Sequence, residues 1–144
     1  MLRHLFLTAA GTALAAAPLL SAHGAAPLPL PVRVKQDNFT VTVTNPENSR
    51  AKGTYELKCG PTGGTHPKPQ AACDRLLELG RSAGDPFAKV PAGAVCTMLY
   101  GGPATARVTG VWKGRGVDAV FNRKNGCEIA RWKNLEPLLP TLGS

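Results

Sequence analysis

The chain predicts an α+β fold built on an antiparallel sheet, because strand-like alternation stands early and late and helical spacing falls between. Phe39-Thr40-Val41-Thr42-Val43-Thr44 alternates strictly between apolar and polar side chains, the pattern of a strand with one face on a core. Residues 105–112 put Ala106, Val108, Gly110 and Trp112 on one face, and the next run does the same with Val117, Ala119 and Phe121. In the middle, residues 70–80 bring Cys73, Leu76 and Leu77 together at i, i+3 and i+4, the spacing of a helix face.

These elements follow two N-terminal segments that lie outside the fold. Met1-Leu2-Arg3-His4 is a basic start, an apolar run rich in Ala and Leu follows to Leu20, and Ala22-His23-Gly24 fits a small-x-small cleavage site. Residues 1–24 therefore read as a secretory signal peptide. A membrane helix is the poorer reading, since the run carries Thr8, Gly11, Thr12 and Pro18 and falls short of the ~20 strongly apolar residues a span needs. Residues 25–37 form a mobile, Pro-rich leader, because Ala25-Ala26-Pro27-Leu28-Pro29-Leu30-Pro31 lacks the donors for a ladder or a helix. Residues 38–144 form one domain, most of the 120 or so that remain after export.

Within that domain the first strand ends at the turn Asn45-Pro46-Glu47-Asn48, and residues 54–59 form a second strand. Residues 60–69 are too rich in Gly and Pro to be anything but a loop. No Gly-Lys-Ser/Thr opens a helix after these glycines, which excludes a phosphate cradle. Gly80 is the expected helix stop. Asp85-Pro86-Phe87, a cap residue with proline at the first helical position, predicts a short second helical turn reaching Val90. Lys113-Gly114-Arg115-Gly116 joins the last two strands as a hairpin, and at these spacings Trp112 and Phe121 belong to the core.

The full chain has a formal charge of +8, and loss of the signal removes Arg3 and no acid, leaving about +7. Lys and Arg are scattered from residue 33 to residue 133 without a dense run or interleaved aromatics, so the charge reads as a solvated surface and no nucleic-acid role is expected. All four cysteines, Cys59, Cys73, Cys96 and Cys127, follow the signal, and an even count in an exported chain argues for two disulfides, with three connectivities open. Their wide spacing, with His66 the one histidine of the exported chain, argues against a metal site. No Gly-x-Ser-x-Gly and no nucleophile, base and orienting group can be assembled, so neither enzyme activity nor a cofactor is expected.

The segment Cys96-Thr97-Met98-Leu99-Tyr100-Gly101-Gly102-Pro103 sets exposed-type apolar residues between a cysteine and Gly-Gly-Pro, and reads as bait for a protease. Gly64-Thr65-His66-Pro67 stands ahead of Ala72-Cys73, Asn125-Gly126-Cys127-Glu128 lies near the end, and the four cysteines fall in matching order. With these motifs the chain resembles the Streptomyces subtilisin inhibitor family from about residue 41 to residue 128.

The resemblance implies a sheet covered on one face by two short helices, the pairings Cys59 with Cys73 and Cys96 with Cys127, and a homodimer. It implies that Met98 fills the protease pocket and that Met98-Leu99 is the bond presented for attack, with Cys96, Thr97 and Tyr100 in contact with the enzyme. The disulfide from Cys96 would tie the bait to the sheet. Asn125 would support the loop from beneath with its amide, a plain Asn-Gly turn being the alternative. An unbranched, polarizable methionine suits a large apolar pocket, so subtilisin-like serine proteases are the first expected partners and chymotrypsin-like ones the second, with no membrane partner after signal cleavage. Thr97 stands where the family often has proline, and Gly101-Gly102-Pro103 replaces a more acidic stretch. Residues 129–144 carry Trp132, Leu135, Leu138, Leu139 and Leu142, which are expected to pack back on the sheet. The rival reading is a secreted structural or cell-surface interaction module, in which Met98-Leu99-Tyr100 is only a hydrophobic loop tip.

Overall fold

The computed structural model describes Gly11, residues 23–30 and residues 35–143. The predicted signal at 1–24 lies outside the described residues apart from Gly11, His23 and Gly24, as do residues 31–34 of the leader. Residues 33–144 make a compact unit separate from residues 1–32 and contain every described helix and strand.

Strands β1 (Asp37–Thr44), β2 (Gly53–Cys59), β3 (Thr105–Trp112) and β4 (Arg115–Phe121) form one antiparallel sheet in the order β2-β1-β3-β4. Asp37, the last residue of the predicted leader, thus already belongs to β1. The period-two pattern is realised: Phe39, Val41, Val43, Leu57, Ala106, Val108, Trp112, Ala119 and Phe121 share the buried face. Val41 pairs with Tyr55 on one side and Val108 on the other, and Val108 with Ala119, so one row of the core crosses all four strands. The opposite face is open and polar, with hydroxyl pairs Thr42–Thr54 and Thr44–Thr105 and an exposed Arg107–Asp118 ion pair at 2.9 Å. The hydrogen bond from Arg107 holds the Asp118 carboxyl below the usual carboxylate range. The β3–β4 turn is tighter than expected, two residues and not four: Lys113 and Gly114 take φ of 50° and 77°, and Arg115 already pairs with Trp112.

The loop after β2 folds back along that strand. Lys58 and Gly63 exchange backbone hydrogen bonds of 2.9 Å, Thr65 Oγ1 accepts from Glu56 N at 2.9 Å, and His66 N donates to Glu56 O at 2.9 Å. Gly64 permits this approach at φ 102°, because a β-carbon there would collide with the Glu56 carbonyl.

Helix α1 (Pro69–Arg81) starts with proline at its first position and buries Ala72, Leu76 and Leu79. The predicted face is therefore rotated: Leu77 is 60% exposed, and Cys73 sits at the rim, where its disulfide reaches Cys59 at the end of β2. Gly80 does not stop the helix. It lies against Trp112 and Lys113, the helix runs on to Arg81, and Lys113 Nζ donates to the Gly80 carbonyl at 2.9 Å. Nor do residues 86–90 form a helix. Asp85 makes a single turn, accepting from Phe87 N and Ala88 N, and Pro91 has no N–H to continue it.

The second helix is α2 (Gly126–Asn134), with Asn125 as its cap and Trp132 buried. Both helices pack on the same face of the sheet, because their buried residues join its inward side chains in one core. The tail packs back as expected: Leu135, Leu138 and Leu139 are buried, and Trp132 Nε1 donates to Pro140 O at 2.9 Å. His66 Nδ1 accepts from Lys68 N at 3.0 Å, so Nε2 donates to Leu138 O at 2.9 Å and ties the loop to the tail.

Glu136 is a partly buried carboxylate beside this core. Burial pushes its carboxyl above the ordinary range, and the Thr141 hydroxyl with Arg123, Lys133 and Lys68 only partly offsets this. The folded state therefore holds this proton more tightly than the unfolded chain, and stability falls as pH climbs from the unfolded value through the raised folded one. Glu136→Gln should abolish that loss. Its melting temperature relative to the parent is expected to rise steadily from acid to neutral pH in parallel calorimetric scans.

Candidate functional site

Residues 94–102 run without helix, strand or turn. At their centre Met98 is 95% exposed, Leu99 63% and Tyr100 68%, and within the described residues no hydrogen bond engages the backbone of these three. An extended apolar segment in this state is shaped only by its attachments.

Those attachments converge on one stretch, residues 123–127, where the chain leaves β4 and enters α2. Before Met98, Cys96 is bonded to Cys127, and Gly126 N donates to Thr97 O at 3.0 Å. After it, Gly101 N donates to Arg123 O and Arg123 Nε donates to Gly101 O, both at 2.7 Å. The free span thus lies between two fixed residues, Thr97 and Gly101. Cys127 sits in the first turn of α2, so the disulfide ties the bait to a helix and not to the sheet as expected.

The expected hydrogen bond from the Asn125 amide to the loop is not formed among the described residues. Asn125 Oδ1 accepts from Glu128 N at 3.0 Å and caps α2, while the neighbouring Gly126 N–H makes the hydrogen bond to the loop. The cap fixes the start of α2, and Glu128 places a carboxylate in the first turn where the dipole favours it. Gly126 is closely packed against the loop, since a β-carbon there would run into the Thr97 hydroxyl and force that side chain to turn.

Two arginines brace this junction. Arg131 donates to Ala88 O at 2.6 Å, Phe87 O at 3.2 Å and Val120 O at 2.8 Å, and its guanidinium lies 4.1 Å from the centre of the Phe121 ring. It thereby joins α2, β4 and the chain leading into the bait. Arg123 is fully buried, with NH2 donating to Gly143 O at 3.0 Å and the guanidinium 5.8 Å from the Trp132 ring.

The structure thus brings Cys96, Thr97, Cys127 and Asn125 together around the bait and leaves Met98, Leu99 and Tyr100 projecting. Sequence reasoning missed Gly126, Arg123 and Gly101. Asn125-x-x-Glu128 is a helix-start signature that marks the first, whereas Asn122-Arg123-Lys124 reads as ordinary surface charge. Among the described residues no group of three or more His, Cys, Asp or Glu is placed to hold a metal, and no helix is long and apolar enough to cross a membrane.

A bare apolar segment fixed at both ends thus stands on a disulfide-stapled α+β base. The chain belongs to the Subtilisin inhibitor-like (SSI) family, which matches residues 36–125. Subtilisin inhibitor-like protein 1 of Streptomyces cacaoi is 42% identical over 86 residues, 56% of this chain and 74% of that protein. The Subtilase-type protease inhibitor of Streptomyces fradiae is 40% identical over 74 residues, 49% of each chain. A chain from the crystal structure of Streptomyces caespitosus sermetstatin in complex with Bacillus licheniformis subtilisin is 28% identical, with 69% of this chain and 92% of that one aligned at a TM-score of 0.43. The family is one of protease inhibitors and not of enzymes.

Gly126→Ala tests the anchor ahead of Met98. The added methyl should drive Thr97 away, and exchange of the residue 126 amide with solvent should rise by roughly tenfold, the worth of one hydrogen bond, while core amides of β1 and β3 keep the parent's protection.

Proposed function

We propose that the chain is a secreted inhibitor of subtilisin-type serine proteases that presents Met98-Leu99 to them as a substrate-like bond. The observation that carries this reading is an almost fully exposed Met98 between two anchors that both rest on residues 123–127. Membership of the family supports it, as does similarity to the Subtilase-type protease inhibitor of Streptomyces fradiae.

A protease of this type binds an extended strand, takes one side chain into its main pocket and attacks the carbonyl that follows. Met98 supplies the side chain, and its burial contributes about 1.5–3 kcal/mol to a contact of roughly 800 Å² per partner. The loop is already fixed, so little conformational entropy is lost on binding. After attack, Met98 lies one residue from the Thr97 anchor and Leu99 two from Gly101. At roughly 3.3–3.6 Å per residue, the cut ends stay within reach of each other. The Leu99 amine therefore remains beside the acyl group, and religation competes with hydrolysis. An apolar pocket prefers Met98, which makes chymotrypsin-like enzymes the weaker second targets. The inhibitor acts outside the cell, after removal of residues 1–24, as a homodimer for which the uncovered face of the sheet is the available surface.

Two measurements check this. Titration with the mature protein should abolish subtilisin activity at about one inhibitor chain per enzyme, and full activity at severalfold excess would refute the reading. Met98→Lys should raise trypsin inhibition by orders of magnitude, since an acid-lined pocket pairs the charge that an apolar one must strip of water. Met98→Gly should weaken subtilisin inhibition. Unchanged affinities in both variants would remove Met98 from the pocket and favour the interaction-module reading. Separately, sedimentation equilibrium should give twice the mature chain mass.

A further inference from the structure

We propose that Arg123 is the positioning residue for the leaving side of the bait, and that the C-terminal tail seats it. The proposal rests on the reading of Met98-Leu99 as the presented bond. On the acyl side of that bond the tether is covalent, through Cys96 and Cys127. On the leaving side no described disulfide holds the chain. What holds it is the two-way grip on Gly101: the Arg123 carbonyl accepts from Gly101 N, and the guanidinium donates to Gly101 O, each at 2.7 Å. A guanidinium hydrogen bond to a carbonyl carries charge assistance and a fixed direction, which suits it to hold a short peptide whose other end has been cut.

The tail completes the grip. Arg123 NH2 donates to Gly143 O, its plane lies near the Trp132 ring, and Trp132 Nε1 is in turn fixed by Pro140 O. Gly101-Gly102-Pro103 and Thr141-Leu142-Gly143 line one small cavity of about 130 Å³, so the leaving strand and the tail face each other across it and are joined through Arg123. A β-carbon at Gly101 would stand 3.0 Å from both Arg123 Nε and Ile129, so it would press directly on the clamp and its neighbours would have to give by a few tenths of an ångström.

Stability alone is a poor reason for this arginine. The side chain is fully buried, yet among the described residues NH1 finds no hydrogen-bond partner, and an apolar residue of similar volume is often as stable at such a site. The two arms that are engaged hold the bait and the tail. Arg123 touches no part of the presented bond and acts through Gly101, by keeping the Leu99 amine next to the acyl carbonyl.

The test is the lifetime of the subtilisin complex formed by Arg123→Met and by Gly101→Ala in the full mature chain, at temperatures well below each variant's melting midpoint. Both should still inhibit at first contact with close to the parent's stoichiometry. Enzyme activity should then return at least roughly tenfold faster than with the parent, with accumulation of inhibitor cut at Met98-Leu99. Arg123→Lys, which keeps one donor for Gly101 O, should recover part of the lifetime. A merely structural role would weaken initial inhibition and thermal stability together and would not produce this split. Gly101→Ala decides the matter if Arg123→Met does not fold, because it disturbs the grip from the loop side. Unchanged lifetime in Gly101→Ala or in a folded Arg123→Met, with the cut at Met98-Leu99, overturns the role of Arg123 alone. A cut at another bond overturns the bait assignment and this proposal with it.

Discussion

An extended segment with no hydrogen bonds of its own has no shape of its own, and the organisation of this molecule follows from that constraint. The bait is defined by where residues 123–127 hold it, and those residues are defined by the junction of β4 with α2. The two grips differ in kind. In the chain-entropy account a cross-link across 31 positions, as between Cys96 and Cys127, is worth about 3.7 kcal/mol, whereas one hydrogen bond nets about 1 kcal/mol. On the proposed reading, the side of the bait that would stay on the enzyme as an acyl group has the covalent tether. The side that would become a free amine depends on hydrogen bonds and on the packing beneath them.

That packing relies on charge in an unusual place for a domain of this size. Arg123 and Arg131 do the joining that backbone pairing does elsewhere, spanning gaps between a strand, a helix, a turn and a tail that share no ladder. Each stacks its guanidinium plane near an aromatic ring, Trp132 or Phe121, so the cation is buried against a face that attracts it. Carbonyls with no strand partner, at Phe87, Ala88, Gly101, Val120 and Gly143, are satisfied by these two side chains.

The sheet was largely legible in the sequence because period-two patterning is local: Phe39, Val41 and Val43 announce a strand without reference to anything distant. The fold class, the two disulfides and the packed tail came through for related reasons of composition and resemblance. The second helix was misplaced because Asp85-Pro86 carries a start signal with nothing to continue it past Pro91, while α2 is short, opens on glycine and buries a single side chain. The exposure of the bait was legible, since a run of Met, Leu and Tyr closed by Gly-Gly-Pro fits neither core nor ladder. Its anchors were not. Nothing in Asn122-Arg123-Lys124 distinguishes a buried clamp from surface charge, because the distinction is made by Gly143 and Trp132 arriving from the end of the chain.

The folding-back of residues 60–66 along β2 bears on how this molecule meets others. A strand at the border of a sheet exposes alternating amides and carbonyls to any passing extended chain, and proteins that share a compartment with unfolded or half-digested polypeptides are vulnerable there. Here Gly63 occupies the outward groups of Lys58, and Thr65 and His66 occupy those of Glu56. A stray peptide therefore finds that flank of the sheet closed to strand addition. The backbone of Met98, Leu99 and Tyr100 makes no hydrogen bond among the described residues, so it stays open to pairing with an extended chain.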